Sequence, residues 1–518
     1  MDFYGLGSGM GVRTLSRRRL LHGFAAVAAS SMLSGCGAAL VRATSSSIGA
    51  QPTQPSTPAL TPQPVPVGAI TAASMTVGTS SVGSFGSDFV GLAYEKQSLT
   101  MPLFTAANSD LIGLFRRLGP SVLRVGGSSV DESVWTPGGK GQTAGEIAPA
   151  DVNALAAFLK AAGWTCIYGV NLGGSATGAT TPALAVAEVA YAAQQLGPAL
   201  VGVELGNECE TYGEAGGFYA GNWSVEMFEA LWQEYRAAII AVTPGVPVVG
   251  PAAGSDVDSW TLPFGEYVTC DEISLLTQHY DRGLASGASV EDLVSPDAAL
   301  ASELLQLKYG GQSIDVPFRL DACSSYEGGG VAGVSNAYAS SLWAIDMAFQ
   351  CALGGASGVN FQSGGQQMCA PIVDNAGVVT GVQPGYYGLL LAAMAGEGTL
   401  LATQLSVGSL NVTGYAIQAA GGGMSLVIVN KDDAQNIDLS IALPQSLSMS
   451  AATLQTLTQL SAGASAPSLS ALSGVTIQGA AVAADGGFQP DAAYALSLDG
   501  AQLSCYVPAL SAVLIQLS

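Results

Sequence analysis

Charged side chains are scarce in this sequence of 518 residues, and basic ones most of all. Only 10% of the residues are charged although 49% are hydrophobic, so the chain can build full-sized cores and lacks the composition of a disordered protein. The 16 Lys and Arg face 38 Asp and Glu, which gives a formal net charge of −22. Such a surface repels polyanions. The charge therefore argues against nucleic acid as a partner and favours neutral or small ligands.

Metal ligands are also scarce. The chain has two His, of which only His279 lies beyond the first 42 residues. Seven cysteines follow Cys36, at positions 166, 209, 270, 323, 351, 369 and 505, and their spacing matches no zinc pattern. An odd number cannot be fully paired, so most should be small buried side chains. The sequence predicts no metal site.

No long apolar run opens the chain. Residues 24–33 form a short stretch, rich in Ala and Ser, that cannot span a membrane. Arginines at 17–19 precede it and resemble a twin-arginine export signal, and residues 33–36 resemble a lipobox. We expect residues 1–42 to be a signal and lipidated Cys36 to tether a periplasmic or cell-surface lipoprotein. The alternative is cleavage elsewhere, which would give a soluble secreted protein.

From about residue 85, short apolar runs alternate with helical patterns. The candidate strands are residues 89–94, 122–126, 166–172, 201–206, 246–250, 273–278, 318–321 and 358–361. Eight such alternations predict an α/β fold, a (β/α)8 TIM barrel over residues 85–395. An open doubly wound sheet is the alternative, but no Gly-rich nucleotide motif follows the first strand.

The regions before and after this barrel differ from it in amino-acid composition and hydrophobic pattern. Residues 43–72 are rich in Pro, Ser and Thr and are expected to form a linker. Residues 396–518 alternate apolar and small polar side chains in short runs, which predicts a C-terminal antiparallel β-sandwich domain. Residues 73–84 would add its first strand.

Polar side chains follow the predicted strands where each one ends. They are Arg124, Asn171, Asn207, Glu208, His279, Tyr280 and Gln362. In a TIM barrel these ends share one rim, where functional residues lie. A Glu can protonate a leaving glycosidic oxygen, and an amide can bind a ring hydroxyl. The pattern predicts a site for a hydroxyl-rich ligand, although Arg124 would equally bind a buried carboxylate.

Several motifs, in the same order along the chain, resemble glycoside hydrolase family 79, which contains β-glucuronidases and heparanases. They are residues 89–96, 114–127, 167–173, 204–208, 318–320, 328–330, 333–335 and 383–388. The resemblance implies a retaining mechanism with two glutamates, no cofactor, and a small-molecule or oligosaccharide β-glycoside as substrate. It places Glu208 at the acid/base position.

The resemblance breaks down at the nucleophile. The family motif is Arg-(apolar)-x-Glu, whereas here Ala322 follows Asp321. A methyl group cannot attack an anomeric carbon, so the nucleophile position is vacant. Asp321 is one residue away, and on a regular strand it would point to the opposite side.

The expected uronate-binding elements are also altered. The family implies that Tyr280 and the backbone N–H groups of Gly328 and Gly329 hold the sugar carboxylate. Glu327 stands where the family has a Tyr, and its charge would repel a uronate unless it is protonated or is itself a relocated catalytic carboxylate.

Two functions are compatible with these residues. One is retaining, exo-acting, β-glucuronidase-like hydrolysis of small β-glycosides by a monomer, with Glu208 as acid/base. The other is carbohydrate binding by a catalytically impaired lipoprotein. A third reading, a structural surface lipoprotein, does not explain the polar rim.

The acidic composition yields a first prediction. Because long-range repulsion slows encounter with a polyanion, the protein should not be retained on heparin resin. Tight retention that salt reverses would contradict this expectation, and small neutral β-glycosides should be preferred to heparan sulfate.

Overall fold

The computed structural model describes residues 61–254 and 257–518. The predicted signal and lipobox lie outside these residues, as does most of the linker. The end of the predicted linker is already part of the fold, because Gln63 exchanges two hydrogen bonds with the backbone of Tyr506.

Eight parallel strands close into a barrel in which each strand pairs with its neighbours in chain order. They are β1 Val90–Glu95, β2 Val122–Gly126, β3 Thr165–Val170, β4 Leu200–Leu205, β5 Val248–Ala253, β6 Leu275–Asp281, β7 Phe318–Ser324 and β8 Val359–Gln362. Strand β8 pairs with β1 and closes the ring. The TIM barrel is thus confirmed, and the open sheet is excluded.

One main helix follows each strand, and the shortest of them, Leu262–Tyr267, has 6 residues. They are α1 Ser109–Leu118, α2 Pro149–Ala162, α3 Pro182–Leu196, α4 Val225–Val242, α5 Leu262–Tyr267, α6 Ala298–Ser313, α7 Ala339–Gly354 and α8 Pro384–Met394. Helix α3 shows why they begin where they do. Thr181 Oγ1 accepts from the N–H of Leu184 (3.3 Å), and Pro182 occupies the first helical position, where no N–H is needed.

Short helices and strand pairs lie in the loops between the barrel strands and their main helices. They are the helices Ser129–Glu132 and Val290–Leu293, the strand pair Val134–Trp135 and Glu146–Ile147, and the hairpin of Ile372–Asn375 with Val378–Val382. None of the described helices combines the length and apolar character that crossing a bilayer requires.

Strand β7 is irregular near its carboxyl end. Leu320 pairs with Gln278 and Ala322 with His279, so β7 advances two residues while β6 advances one. This is the pattern of a β-bulge, which inserts an extra residue and redirects the side chains around it. The extra residue is Asp321.

The C-terminal domain is a mostly antiparallel sheet of eleven strands that form one continuous hydrogen-bonded sheet. The strands are Ile70–Phe85, Gly398–Ser406, Val412–Gln418, Met424–Asn430, Asn436–Ala442, Ala452–Gln459, Val475–Ile477, Tyr494–Leu496, Leu498–Asp499, Gln502–Val507 and Ser511–Leu517. Ile70–Phe85 is longer than the predicted strand at 73–84. It lies parallel to Asn436–Ala442 and antiparallel to Gly398–Ser406, which makes the sheet continuous.

The sheet packs against the barrel through side chains that alternate between two cores along a single strand. On Met424–Asn430, Leu426 and Ile428 belong to the core inside the sheet domain. The neighbouring Val427 and Val429 belong to the core shared with the barrel. Successive side chains of a strand point to opposite faces, so one strand serves two cores. At the junction the rings of Phe349, from α7, and Tyr415 stack at 4.5 Å.

All seven described cysteines carry free thiols, and five of them are buried. Their packing agrees with the expectation of small apolar side chains.

Candidate active site

A cavity of about 490 Å³ opens at the carboxyl ends of the barrel strands. The structure brings nine of the predicted site residues to its wall: Arg124, Asn207, Glu208, His279, Ala322, Glu327, Gly328, Gly329 and Gln362. They come from five different strand ends and the loop after β7. The rim predicted from sequence is therefore a single place in the fold.

Glu208 projects into this cavity from the sharp turn that follows β4. Its backbone is left-handed, with φ +47°, a conformation that non-glycine residues adopt only where the surroundings enforce it. Its N–H donates to the carbonyl of Ala252 (2.9 Å). Gly254 allows the close approach, since a Cβ there would lie 2.7 Å from Glu208 Cγ. The side chain is 41% exposed and so can meet a ligand.

His279 contacts the carboxyl group of Glu208. Its Nδ1 lies 2.9 Å from Glu208 Oε1. This hydrogen bond lowers the pKa of Glu208, and it outweighs the opposing effect of burial. Burial and Arg124 would lower the pKa of His279, but Asp321 and Glu208 outweigh them and raise it. The pair therefore favours a charged carboxylate beside a protonated imidazole.

Arg124 connects the cavity to the interior of the barrel. Its Nε donates to Glu204 Oε2 (2.9 Å), and its Nη2 donates to Asn207 Oδ1 (2.9 Å). Thr277 Oγ1 donates to the other oxygen of Glu204 (2.8 Å). The sequence left two roles open for Arg124, and it has both: it lines the cavity and binds a buried carboxylate. Glu204 was missed, although its place within an apolar strand was a signal.

Asp321 lies in the barrel interior and is fully buried. Its Oδ2 is 3.1 Å from Arg124 Nε, and its Oδ1 is 3.9 Å from His279 Nε2. Within the described residues neither oxygen accepts a hydrogen bond. Burial and the charge of Glu204 raise the pKa of Asp321. Burial also acts to raise the pKa of Glu204, but Arg124, His279 and hydrogen bonds with Asp321 and Thr277 together outweigh it and lower that pKa. Asp321 therefore holds a proton next to an ionised Glu204.

The expectation that Asp321 points away from the side of Ala322 was wrong. The bulge in β7 places Asp321 against Arg124, and Ala322 still lines the cavity. A regular strand would have put neighbouring residues on opposite faces. Ala322 is opposite His279 in the strand ladder and lines the same cavity as Glu208.

Two predicted substrate-binding residues do not line the cavity. Tyr280 donates its hydroxyl to Asp297, at the start of α6. It follows His279 directly on β6, and only one of two successive strand residues can face inward. Asn171 donates to the carbonyls of Asp131 (2.9 Å) and Ser133 (2.8 Å), so its amide holds a loop together.

The cavity also contains three further carboxylates, Glu95, Glu210 and Asp281. Glu95 accepts from the N–H (3.0 Å) and hydroxyl (2.5 Å) of Ser129. Glu210 accepts from the N–H of Gly254. Together with Glu208 and Glu327 they make the cavity wall strongly acidic. Within the described part of the chain, no cluster of three or more His, Cys, Asp or Glu residues is arranged to hold a metal ion.

A second cavity of about 480 Å³ lies where the barrel meets the sheet domain. Its charged side chains are already paired, Arg282 with Asp297 (3.2 Å) and Lys431 with Asp346. The cavity at the strand ends is therefore the better candidate for chemistry.

Comparison with known proteins gives similarity in fold. No protein-family model matches the sequence, and no curated protein matches it significantly. A 4-O-α-L-rhamnosyl-β-D-glucuronidase from Fusarium oxysporum 12S has a similar structure, with a TM-score of 0.68 at 16% identity over 86% of this chain and 100% of that one. A family 51 arabinofuranosidase from Xanthomonas axonopodis pv. citri has a TM-score of 0.62 at 15% identity, with the same coverage. A bifunctional glucanase-xylanase from a metagenome library, CelM2, has a TM-score of 0.62 at 12% identity, over 86% of this chain and 99% of that one. At these identities the similarity establishes a common fold, a TIM barrel with an added β-domain.

The buried proton on Asp321 predicts how stability depends on pH. The unfolded chain loses this proton near the ordinary Asp pKa of about 3.9, whereas the folded protein keeps it to higher pH. The free energy of unfolding should therefore fall, by at most about 1.4 kcal/mol per pH unit, as the pH rises from that value to the raised pKa. Asp321→Asn should flatten this part of the profile, measured by urea unfolding at a series of pH values. The exposed Asp433→Asn is the control, and an unchanged slope in Asp321→Asn would contradict the assignment.

Proposed function

We propose that the protein is a glycoside hydrolase that cleaves small β-glycosides in the cavity at the strand ends, with Glu208 as acid/base. The observation that carries the proposal is the placement of Glu208. It is held in a left-handed turn at the end of β4, reaches the cavity, and contacts His279. Asn207 beside it is fixed by Arg124 and can bind a ring hydroxyl.

The electrostatics of this pair indicate when Glu208 can act as an acid. A general acid must carry its proton, and His279 lowers the pKa of Glu208. The protonated form is populated only as the pH falls toward that lowered pKa. Proton donation by Glu208 is therefore expected to favour acidic conditions.

The vacant nucleophile position limits the retaining, β-glucuronidase-like mechanism that the family resemblance implies. Retaining cleavage needs two carboxyl groups about 5–5.5 Å apart, one of which attacks the anomeric carbon. The methyl group of Ala322 cannot do so. We therefore propose that hydrolysis is slow in this chain.

Ala322 also favours a second candidate function. A cavity that keeps its sugar-binding groups but lacks the nucleophile would suit a carbohydrate-binding protein, tethered outside the membrane through Cys36. The contact of Glu208 with His279 favours the hydrolase, because carboxyl groups with shifted pKa values are found preferentially at catalytic sites.

The acidic wall also affects the choice of substrate. Gly328 and Gly329 line the cavity, and so does Glu327, which directly precedes them in the loop after β7. A glucuronide held by the N–H groups of these glycines would lie near Glu327, whose charge repels it. We propose that exo-acting cleavage is faster on neutral β-glycosides than on β-glucuronides.

The activities of proteins with a similar fold support the proposal of a glycoside hydrolase. The three compared above are described as a rhamnosyl-glucuronidase, an arabinofuranosidase and a glucanase-xylanase, and all of these cleave glycosidic bonds. Function follows the site, so the test must address Glu208 itself.

Glu208→Gln should reduce kcat on an aryl β-glycoside by about 10²–10⁴-fold, because it removes the proton donor. The exposed Glu214→Gln in the next turn is the matched control and should leave the rate unchanged. Hydrolysis that is unaffected in Glu208→Gln would refute the proposed role.

Ala322→Glu should accelerate hydrolysis by several orders of magnitude, because it restores a carboxylate that can form the covalent intermediate. Azide should also accelerate turnover by the Ala322 protein and yield the glycosyl azide of inverted configuration. No gain from either change would count against the vacant-nucleophile interpretation.

Glu327→Gln should raise kcat/KM on a β-glucuronide by about tenfold and change it little on the corresponding β-glucoside, since it removes a like charge from the glucuronide's surroundings. Steady-state kinetics on the two aryl glycosides measures the ratio. Loss of activity on both substrates would instead support the alternative, that Glu327 is the relocated catalytic carboxylate.

A further inference from the structure

We propose that Asp281 is the second catalytic carboxyl group of this site, acting as a general base on a water molecule beside Ala322, so that β-glycosides are cleaved with inversion. This inference rests on the proposed function above. It assigns the base, the attacking group and the stereochemical outcome.

The geometry of β6 places Asp281 in the same cavity as Glu208 and Ala322. Residues 277, 279 and 281 lie on the same face of the strand. Thr277 binds Glu204 in the barrel interior. His279, two residues closer to the carboxyl end of the strand, binds Glu208. Asp281 is the next residue on this face and lines the cavity. One strand therefore carries both the partner of the acid and a second carboxyl group that lines the cavity.

Asp281 also lies beside the vacant position. In the ladder between β6 and β7, Ala322 is opposite His279 and Ser324 is opposite Asp281. The N–H of Arg282 donates to the carbonyl of Ser324 (3.1 Å), which anchors this end of β6 to β7. The methyl group and the carboxylate are thus on adjacent strands, two ladder steps apart along β7.

The other carboxylates of the cavity are less suited to this role. Glu95 accepts from the N–H and the hydroxyl of Ser129 through its Oε2, and Glu210 accepts from the N–H of Gly254. Glu327 belongs to a loop in which residues 328–330 all have positive φ, after β7 has ended. Asp281 is the last residue of a barrel strand, where position is best defined.

The charges around Asp281 suit a base. Burial raises its pKa, His279 lowers it, and Glu208 and Glu327 raise it again. At Glu208 the hydrogen bond from His279 lowers the pKa. The pKa of Asp281 therefore responds to the charge of Glu208, as is expected of two carboxyl groups that face one cavity.

Alanine in place of glutamate creates the room that the mechanism needs. One water occupies about 30 Å³, less than the carboxymethyl group that is missing. Inverting enzymes hold their carboxyl groups about 6.5–9.5 Å apart so that a water fits between the base and the sugar. The vacant position thus becomes a site for the attacking water.

The reaction balances without any other reactant. Asp281 takes a proton from the water as the water oxygen bonds to the anomeric carbon. The bond from that carbon to the leaving oxygen breaks, and its electron pair stays on the oxygen. Glu208 donates a proton to that oxygen. Proton exchange with solvent then restores both carboxyl groups.

Proton NMR of the first turnovers is the primary test. A β-glycoside should release the α-anomer, whereas retention of the β-anomer would overturn the proposal. In the same assay Ala322→Glu should switch the product to the β-anomer, because the glutamate replaces the water as the attacking group.

Asp281→Asn should lower kcat by about 10²–10⁴-fold, and added formate or azide should recover activity. Asp281→Glu keeps a carboxyl group and should keep more activity than Asp281→Asn, which separates catalysis from folding. Asp433→Asn is the exposed control, and circular dichroism should be the same for all three variants.

The remaining outcomes separate the two proposals. If Asp281→Asn keeps the wild-type kcat while Glu208→Gln loses it, Asp281 is not the base and the proposed function stands. If only Ala322→Glu hydrolyses β-glycosides, the assignment to Asp281 is likewise overturned. If neither the wild type nor Ala322→Glu hydrolyses any β-glycoside, both proposals fail.

Discussion

The candidate site depends on one buried cation. Arg124 is almost completely removed from solvent, and burying a guanidinium is costly unless its charge and its N–H groups are matched. Glu204 of β4 supplies the opposite charge, Asn207 in the turn after β4 accepts from Nη2, and Asp321 of β7 lies 3.1 Å from Nε. The same contacts fix the amide beside the proposed acid. Stability of the barrel interior and orientation of the site are therefore consequences of a single network.

Much of the fold was readable from the sequence because its signals are local. Apolar runs of strand length, each followed by a helix, predicted all eight barrel strands to within a few residues. The rim followed from the rule that strand ends carry function, and nine of the predicted residues meet there. What failed was the finer geometry. Tyr280 was assigned to the rim together with His279, although neighbouring strand residues face opposite ways.

Two further errors had physical causes that the sequence does not display. The bulge in β7 depends on pairing with β6, a contact between distant segments, and so the direction of Asp321 could not be read locally. The sixth strand was predicted to end at residue 278, whereas it continues to Asp281. That difference of three residues hid the carboxylate now proposed as the base. Polar residues at strand ends are where a hydrophobicity pattern is least informative.

The alternation on Met424–Asn430 has a consequence for the molecule as a whole. Because Val427 and Val429 pack toward the barrel while Leu426 and Ile428 pack within the sheet, neither part can unfold without stripping apolar surface from the other. The barrel and the sheet are therefore expected to unfold together, despite their different architectures. A strand that contributes to two cores ties the stability of the β-domain to that of the barrel, although the two differ in topology.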